Sequence, residues 1–174
     1  MQPETVLMEI CSHIEEMKGN VPGRFLGIGI TMPGPLDRRR GILLRVPNMP
    51  LWENFAVREY FENVYRCDVC LNNNSNAAAK AEEIYNPDVQ GKNFLELIVD
   101  SGLGSSIILN TDNYSENFDC ELGHCCVDVN GETCSCGNVG CAEMYASASA
   151  AVKFARAEDP SVNSWKDMID GCRR

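Results

Sequence analysis

The chain has 174 residues, enough for one domain with a real core or for parts of two, and its 44% apolar content is that of a globular protein. A net charge of -10 opposes any grip on a phosphate backbone by these residues alone. No apolar run approaches the roughly 18–20 residues that span a bilayer, and the acidic, amphipathic start MQPETVLMEICSHIEEM fits neither a secretory nor a transit signal, so a cytoplasmic protein is expected.

Leu7, Ile10, Cys11, Ile14 and Met17 recur at the spacing of one helical face. They predict a helix over 5–18, ended by Gly19, Asn20, Pro22 and Gly23. RFLGIGITMPGPLD then reads as a short apolar strand, with glycines where neighbours approach closely, followed by a turn at MPGPLD. RRRGILLRVPNMPLWENF reads as a polar turn, a short strand and an irregular loop. FAVREYFENVY is a predicted helix and DVCLNNN a predicted strand. SNAAAKAEEIY is rich in good helix formers, and NFLELIVDSGLGSSIIL reads as two strands joined by a small-residue turn. Residues 116–147 lack periodicity. ASASAAVKFARAE and SVNSWKDMIDGCRR read as helices. This alternation predicts an α/β fold with a parallel or mixed sheet and covering helices.

Ten cysteines are many for a chain expected in a reducing compartment, where a disulfide framework is disfavoured. Isolated ones (Cys11, Cys67, Cys70, Cys120, Cys125, Cys126 and Cys172) are expected as small buried apolar residues. Cys67 and Cys70 have CxxC spacing, but strand alternation turns them to opposite faces, which argues against a metal half-site. The stretch CSCGNVGC differs. Cys134, Cys136 and Cys141 give C-x-C-x4-C, and Gly137 and Gly140 let the backbone wrap tightly. His124 completes a Cys3His set of the kind that holds structural zinc, closed to water. The competing expectation is a run of reduced thiols without a metal.

ELGH followed by CSCGNVGCAE resembles the signature of the ROK family, a group of repressors, uncharacterised open reading frames and sugar kinases. GIGITMPGPLD, PNMPLWENF and NNNSNAAAKAE are similar, in order, to further family segments, so the resemblance covers about residues 3–155. It implies an actin-like (ribonuclease H-like) nucleotidyl-transferase fold, here incomplete, with a structural zinc loop. Residues 1–73 would be a partial N-terminal α/β lobe, and 74–174 a partial C-terminal lobe carrying the zinc and sugar-binding loop. The family's E-x-G-H matches Glu121 to His124. The resemblance implies that Glu121, His124 and Glu143 contact sugar, and that Gly34 in the PGP turn and Asn73 beside Asn74 belong to the same pocket. A carboxylate suits that task because it accepts hydrogen bonds from hydroxyls held in fixed directions.

Three departures separate the chain from the family's kinases. Those kinases read E-N-D-A-N-A-A-A where this chain reads NNNSNAAA, so Asn74 occupies the position of the catalytic aspartate. An amide cannot take the proton of an attacking hydroxyl at neutral pH, although it can still bind that hydroxyl. The phosphate-cradling glycine turn matches DSGLGSS, in which Gly102 and Gly104 persist while Asp100, Ser105 and Ser106 replace glycines. A carboxylate beside a triphosphate is repulsive unless magnesium intervenes. The family's opening glycine-rich phosphate motif and the C-terminal part of the large lobe have no match here, as expected of either a fragment or a shortened gene. The resemblance thus implies the sugar-sensing (effector-binding) domain of a ROK-type transcriptional regulator, without kinase activity. Its partners would be a small-molecule sugar, DNA through an upstream domain, and further copies of itself; no membrane is implied. The alternative is an ATP-dependent hexose kinase of the glucokinase or N-acetylhexosamine kinase type, for which ATP and magnesium would join zinc as cofactors.

Overall fold

The computed structural model describes residues 2–46, 49–110 and 115–172, the side chains of 115–119 and 172 excepted. The chain divides into two compact units, Met1–Asn74 and Ser75–Arg174.

Unit 1 opens with helix α1 (Pro3–Asn20), which has Pro3 and Glu4 in its first turn and Lys18 in its last, as the helix dipole favours. The buried stripe is Pro3 and Leu7, with Val6, Cys11 and Ile14 packed on the core beside them. Ile10 and Met17, expected on that face, are 40% and 65% exposed. Strand β1 (Gly27–Met32) pairs parallel with β4 (Asp68–Asn73), from Gly27 opposite Asp68 to Met32 opposite Asn73. Gly27 allows that approach, since a Cβ there would lie 2.7 Å from the Asp68 carbonyl oxygen. Between them lie a hairpin of β2 (Leu36–Asp37) and β3 (Ile42–Leu43), a 3-10 turn at Pro50–Trp52, and helix α2 (Val57–Tyr65). Val57 and Phe61, one helical turn apart, enter an apolar core with Leu7, Leu43, Val46, Trp52, Val69 and Leu71. Pro47 and Asn48, part of the PNMPLWENF match, lie outside the described residues.

Unit 2 contains nearly all of helix α3 (Asn74–Tyr85), an antiparallel sheet of β5 (Phe94–Val99), β6 (Leu103–Asn110) and β7 (Ser115–Cys120), the four-residue helix α4 (Glu143–Ala146), α5 (Ala148–Glu158) and α6 (Trp165–Cys172). The turn after β5 spans only Asp100–Gly102, so Gly104, Ser105 and Ser106 stand inside β6. Ser105 and Ser106 are buried, and the Ser106 hydroxyl donates to Asn76 Oδ1 of α3 at 2.6 Å. Ser147 caps α5 by accepting the Ala150 N–H. No described helix is long and apolar enough to cross a membrane.

The isolated cysteines depart from the expected burial. Cys11, Cys67 and Cys120 are half-buried, and Cys70, Cys125 and Cys126 are exposed. In β4 the alternation that buries Val69 and Leu71 turns Cys70 outward. Cys125 and Cys126 follow a 3-10 turn on the surface. Cys172 lies outside the described side chains.

Candidate functional site

The irregular stretch of unit 2 is built on backbone bonds and close approaches. A bridge between Thr133 and Val139 closes a small loop, within which the Cys134 N–H donates to the Asn138 carbonyl at 2.8 Å and the Gly137 N–H to the Cys134 carbonyl at 2.9 Å. A second bridge joins Cys126 to Cys141. Gly140 has φ +64°, and a Cβ there would lie 1.6 Å from the Asp128 carbonyl oxygen, so only glycine fits. His124 ends a 3-10 turn, Leu122–His124, held on the sheet by Ser105. The Ser105 hydroxyl donates to the Cys120 carbonyl at 2.8 Å and accepts the Leu122 N–H at 3.1 Å. Gly123 lets the turn lie against β6, since a Cβ there would sit 2.1 Å from the Leu103 carbonyl oxygen.

These contacts bring His124, Cys134, Cys136 and Cys141 together, with one ligand atom of each within 4.8 Å of all the others. Cys136 Sγ is 3.7 Å from Cys141 Sγ, and Cys134 Sγ is 3.7 Å from His124 Nδ1. A disulfide needs about 2.05 Å between sulfurs, so these thiols are not bonded to each other. A tetrahedron with zinc–sulfur bonds of about 2.3 Å places its sulfurs about 3.8 Å apart, which the spacing matches. Three sulfurs and one imidazole are also the donor set that suits zinc among the common divalent ions. Burial pushes the Cys141 thiol up to about 12, helped by the neighbouring Cys136 and Cys134. The Asn138 N–H holds Cys136 below its ordinary value. Such crowding disfavours three thiolates side by side unless a cation joins them. The residues therefore fit a closed Cys3His zinc site.

Glu143 stands beside this group. Its Oε2 accepts the Leu103 N–H at 2.9 Å, and its Oε1 lies 4.0 Å from Cys134 Sγ. Gly102 makes room for it, since a Cβ there would be 2.5 Å from Oε2. Gly104 likewise makes room for Ser75 Oγ, 2.4 Å from where its Cβ would be. Glu121 is exposed at the start of the 3-10 turn and its carbonyl accepts the His124 N–H at 2.9 Å. Asp100 is exposed, and its carbonyl accepts the Ala148 N–H at the start of α5 at 2.8 Å.

The other expected site residues belong to unit 1. Gly34 has φ +81° and would clash through a Cβ with Val46 and the Arg45 carbonyl. Its own carbonyl accepts from Asn73 Nδ2 at 3.2 Å, so the PGP turn and the end of β4 are tied together. Asn74 is exposed at the first position of α3. Gly123 is the glycine of E-x-G-H, whereas the role of Ser105 has no local signal in the sequence, because its partner lies 15 residues away.

The sequence model of the ROK family matches residues 1–171. A xylose repressor of Bacillus spizizenii is 30% identical over 95% of this chain and 43% of its own length. A glucokinase of Thermotoga maritima is 31% identical over 88% of this chain and 48% of its own length. A ROK family glucokinase from Streptomyces griseus, solved in complex with glucose and AMPPNP, superposes with a TM-score of 0.76 at 26% identity, over 91% of this chain and 52% of that one. The chain thus spans less than half the length of these curated relatives.

Proposed function

The chain belongs to the ROK family, and from that premise we propose that it is the sugar-sensing part of a ROK-type transcriptional regulator, without kinase activity of its own. The observation that carries this reading is Asn74, an amide exposed at the helix start where the family's kinases carry their catalytic aspartate. It can hydrogen-bond a sugar hydroxyl but cannot accept its proton. Similarity to a xylose repressor over nearly the whole chain supports the reading. DNA contact falls to other residues of the whole protein, because a net charge of -10 opposes it here. The same reading makes 1–73 and 74–174 partial lobes of an actin-like fold in a cytoplasmic homo-oligomer.

In this proposal zinc on His124, Cys134, Cys136 and Cys141 is structural. It fixes the loop and holds Cys134 as a thiolate. A thiolate does not donate to Glu143 Oε1, which leaves that oxygen for a sugar hydroxyl while Oε2 stays on the Leu103 N–H. Glu121, His124 and Glu143 are the proposed sugar contacts in unit 2, and within unit 1 Gly34, Asn73 and Asn74 match the family's sugar-binding positions.

A sugar kinase is the second reading, favoured by similarity to a glucokinase. One experiment separates the two. The chain is mixed with xylose, glucose, N-acetylglucosamine, N-acetylmannosamine and fructose, and both thermal shift and ATP-dependent phosphorylation are measured. A sensor gains about 2.7 kcal/mol of stability from its sugar at 100 times Kd, with no phosphorylation above background. Turnover near the roughly 1–100 s⁻¹ typical of kinases ends the sensor reading, and no shift with any sugar ends the sugar reading.

A further inference from the structure

We propose that Asp128 and Tyr145, neither a ligand of the metal nor a sugar contact, form a clasp that pre-shapes the metal loop and positions its cysteines. The proposal rests on the zinc reading above. Asp128 bonds in four directions. Its N–H and that of Val127 both donate to the Gly140 carbonyl, at 3.3 and 2.8 Å, and its own carbonyl accepts the Gly131 N–H at 3.0 Å. Its Oδ1 accepts the Asn130 N–H at 3.0 Å, closing an Asx turn. Its Oδ2 accepts from the Tyr145 hydroxyl at 3.3 Å.

Two of these bonds cross the loop, from the Asp128 N–H to Gly140 and from Oδ2 to Tyr145, and the other two close the local turn 128–131. Gly140 is adjacent to the ligand Cys141, and the Asp128 carbonyl is packed so closely on Gly140 that no side chain fits. Tyr145 lies in α4, two residues after Glu143, and its hydroxyl fills the place where a Cβ of Gly131 would stand, 2.1 Å away. Glu132 adds a second strap from the same loop, an ion pair with Lys153 of α5. The 128–132 segment is therefore fastened to α4 and α5 on one side and to Gly140 on the other. Both fastenings are made by groups that do not need the ion. A loop ordered before binding loses less entropy when the ion arrives, and a loop held afterwards opens less often to release it.

The test uses the full 174-residue chain loaded with zinc, and follows zinc transfer to a chromophoric chelator. Tyr145→Phe and Asp128→Asn keep volume; the first removes the hydroxyl–carboxylate bond and the second replaces its carboxylate with a neutral amide. Each is expected to speed zinc dissociation by up to roughly 10-fold, the low end of the affinity loss known for outer-shell partners of metal sites. The double variant is expected to be no faster than the more affected single one, because both act on the same bond. A merely structural role would lower the melting temperature of the metal-free chain and leave the dissociation rate unmoved. Unchanged rates in both variants overturn the clasp while leaving the zinc reading intact. A wild-type chain that carries no zinc overturns both.

Discussion

In unit 1 the largest fully buried side chains are Leu7, Leu43, Val57 and Phe61, with Trp52, Val69 and Leu71 around them. In unit 2, among the described residues, they are Asn76, Ser106, Cys141 and Ile108, with Ser75, Ser105, Ser147 and Cys134 also buried beside the smaller apolar Ala79, Ala150 and Val162. One interior is held by apolar area, which tolerates small shifts of its parts. The other is held by hydrogen bonds and a candidate metal site, which depend on direction and fail when one atom is changed. The difference bears on function. The residues proposed for metal and sugar in unit 2 lie among these directional bonds, so an ion or ligand there would act on the order of that unit.

The largest effect should come from the metal. Structural zinc contributes on the order of 10 kcal/mol in small zinc-dependent folds. Chelation should therefore remove amide-exchange protection from residues 122–142 while leaving β1 and β4 protected. Equal loss of protection in β1 would break the contrast between the units. Next comes Phe61→Ala, which empties the middle of the unit 1 core and should cost roughly 3–5 kcal/mol by denaturant titration. Zinc content per folded chain should be unchanged. A smaller effect is expected for Ser106→Ala. It takes from Asn76 Oδ1 a buried donor at 2.6 Å and should cost about 1–3 kcal/mol, felt in β6 and α3. A cost below the error of the titration would show that unit 2 does not rely on that bond.

How much of this was legible in the sequence follows the same division. The helices and strands of unit 1 are written in local spacing, and α2 and β4 stand where periodicity puts them. What covers each face is not local. Ile10 and Met17 share the spacing of Leu7, yet the core reaches only the Leu7 side of α1. In unit 2 the candidate metal-ligand set is legible because C-x-C-x4-C carries its chemistry in eight residues. The supports are not, because they join distant positions: Glu143 to Leu103, Ser105 to Cys120, Tyr145 to Asp128. The glycines of DSGLGSS carry two readings: the family resemblance implies a phosphate turn, and in the structure Gly102 and Gly104 also make room for Glu143 and Ser75.

The smallest predicted effect lies at the edge of unit 2 and follows the sign of one carboxylate. Ser164 and Asp167 bond reciprocally at the start of α6, with Ser164 Oγ accepting the Asp167 N–H at 3.2 Å and donating to Asp167 Oδ2 at 2.8 Å. The Ser164 hydroxyl, and after it the Asn163 N–H, holds the Asp167 carboxyl below its ordinary value. Asn163 is also gripped through its carbonyl by Arg156 of α5, at 2.8 Å, so the carboxylate ties the corner between α5 and α6. A group depressed on folding adds stability above its unfolded value, near pH 4, and loses it as pH falls through the folded value. Helicity of α6, followed by NMR chemical shifts, should therefore be flat from neutral pH down to about 4 and fall below it. In Asp167→Asn that step should shrink to what Asp159 contributes, whose carboxyl Ser161 holds below its ordinary value at the same corner. In unit 1 the buried core, among the described residues, is apolar throughout, so its shifts should hold through the same range. A step of equal size in both units would mean that acid acts on the whole chain at once rather than on the directional bonds of unit 2.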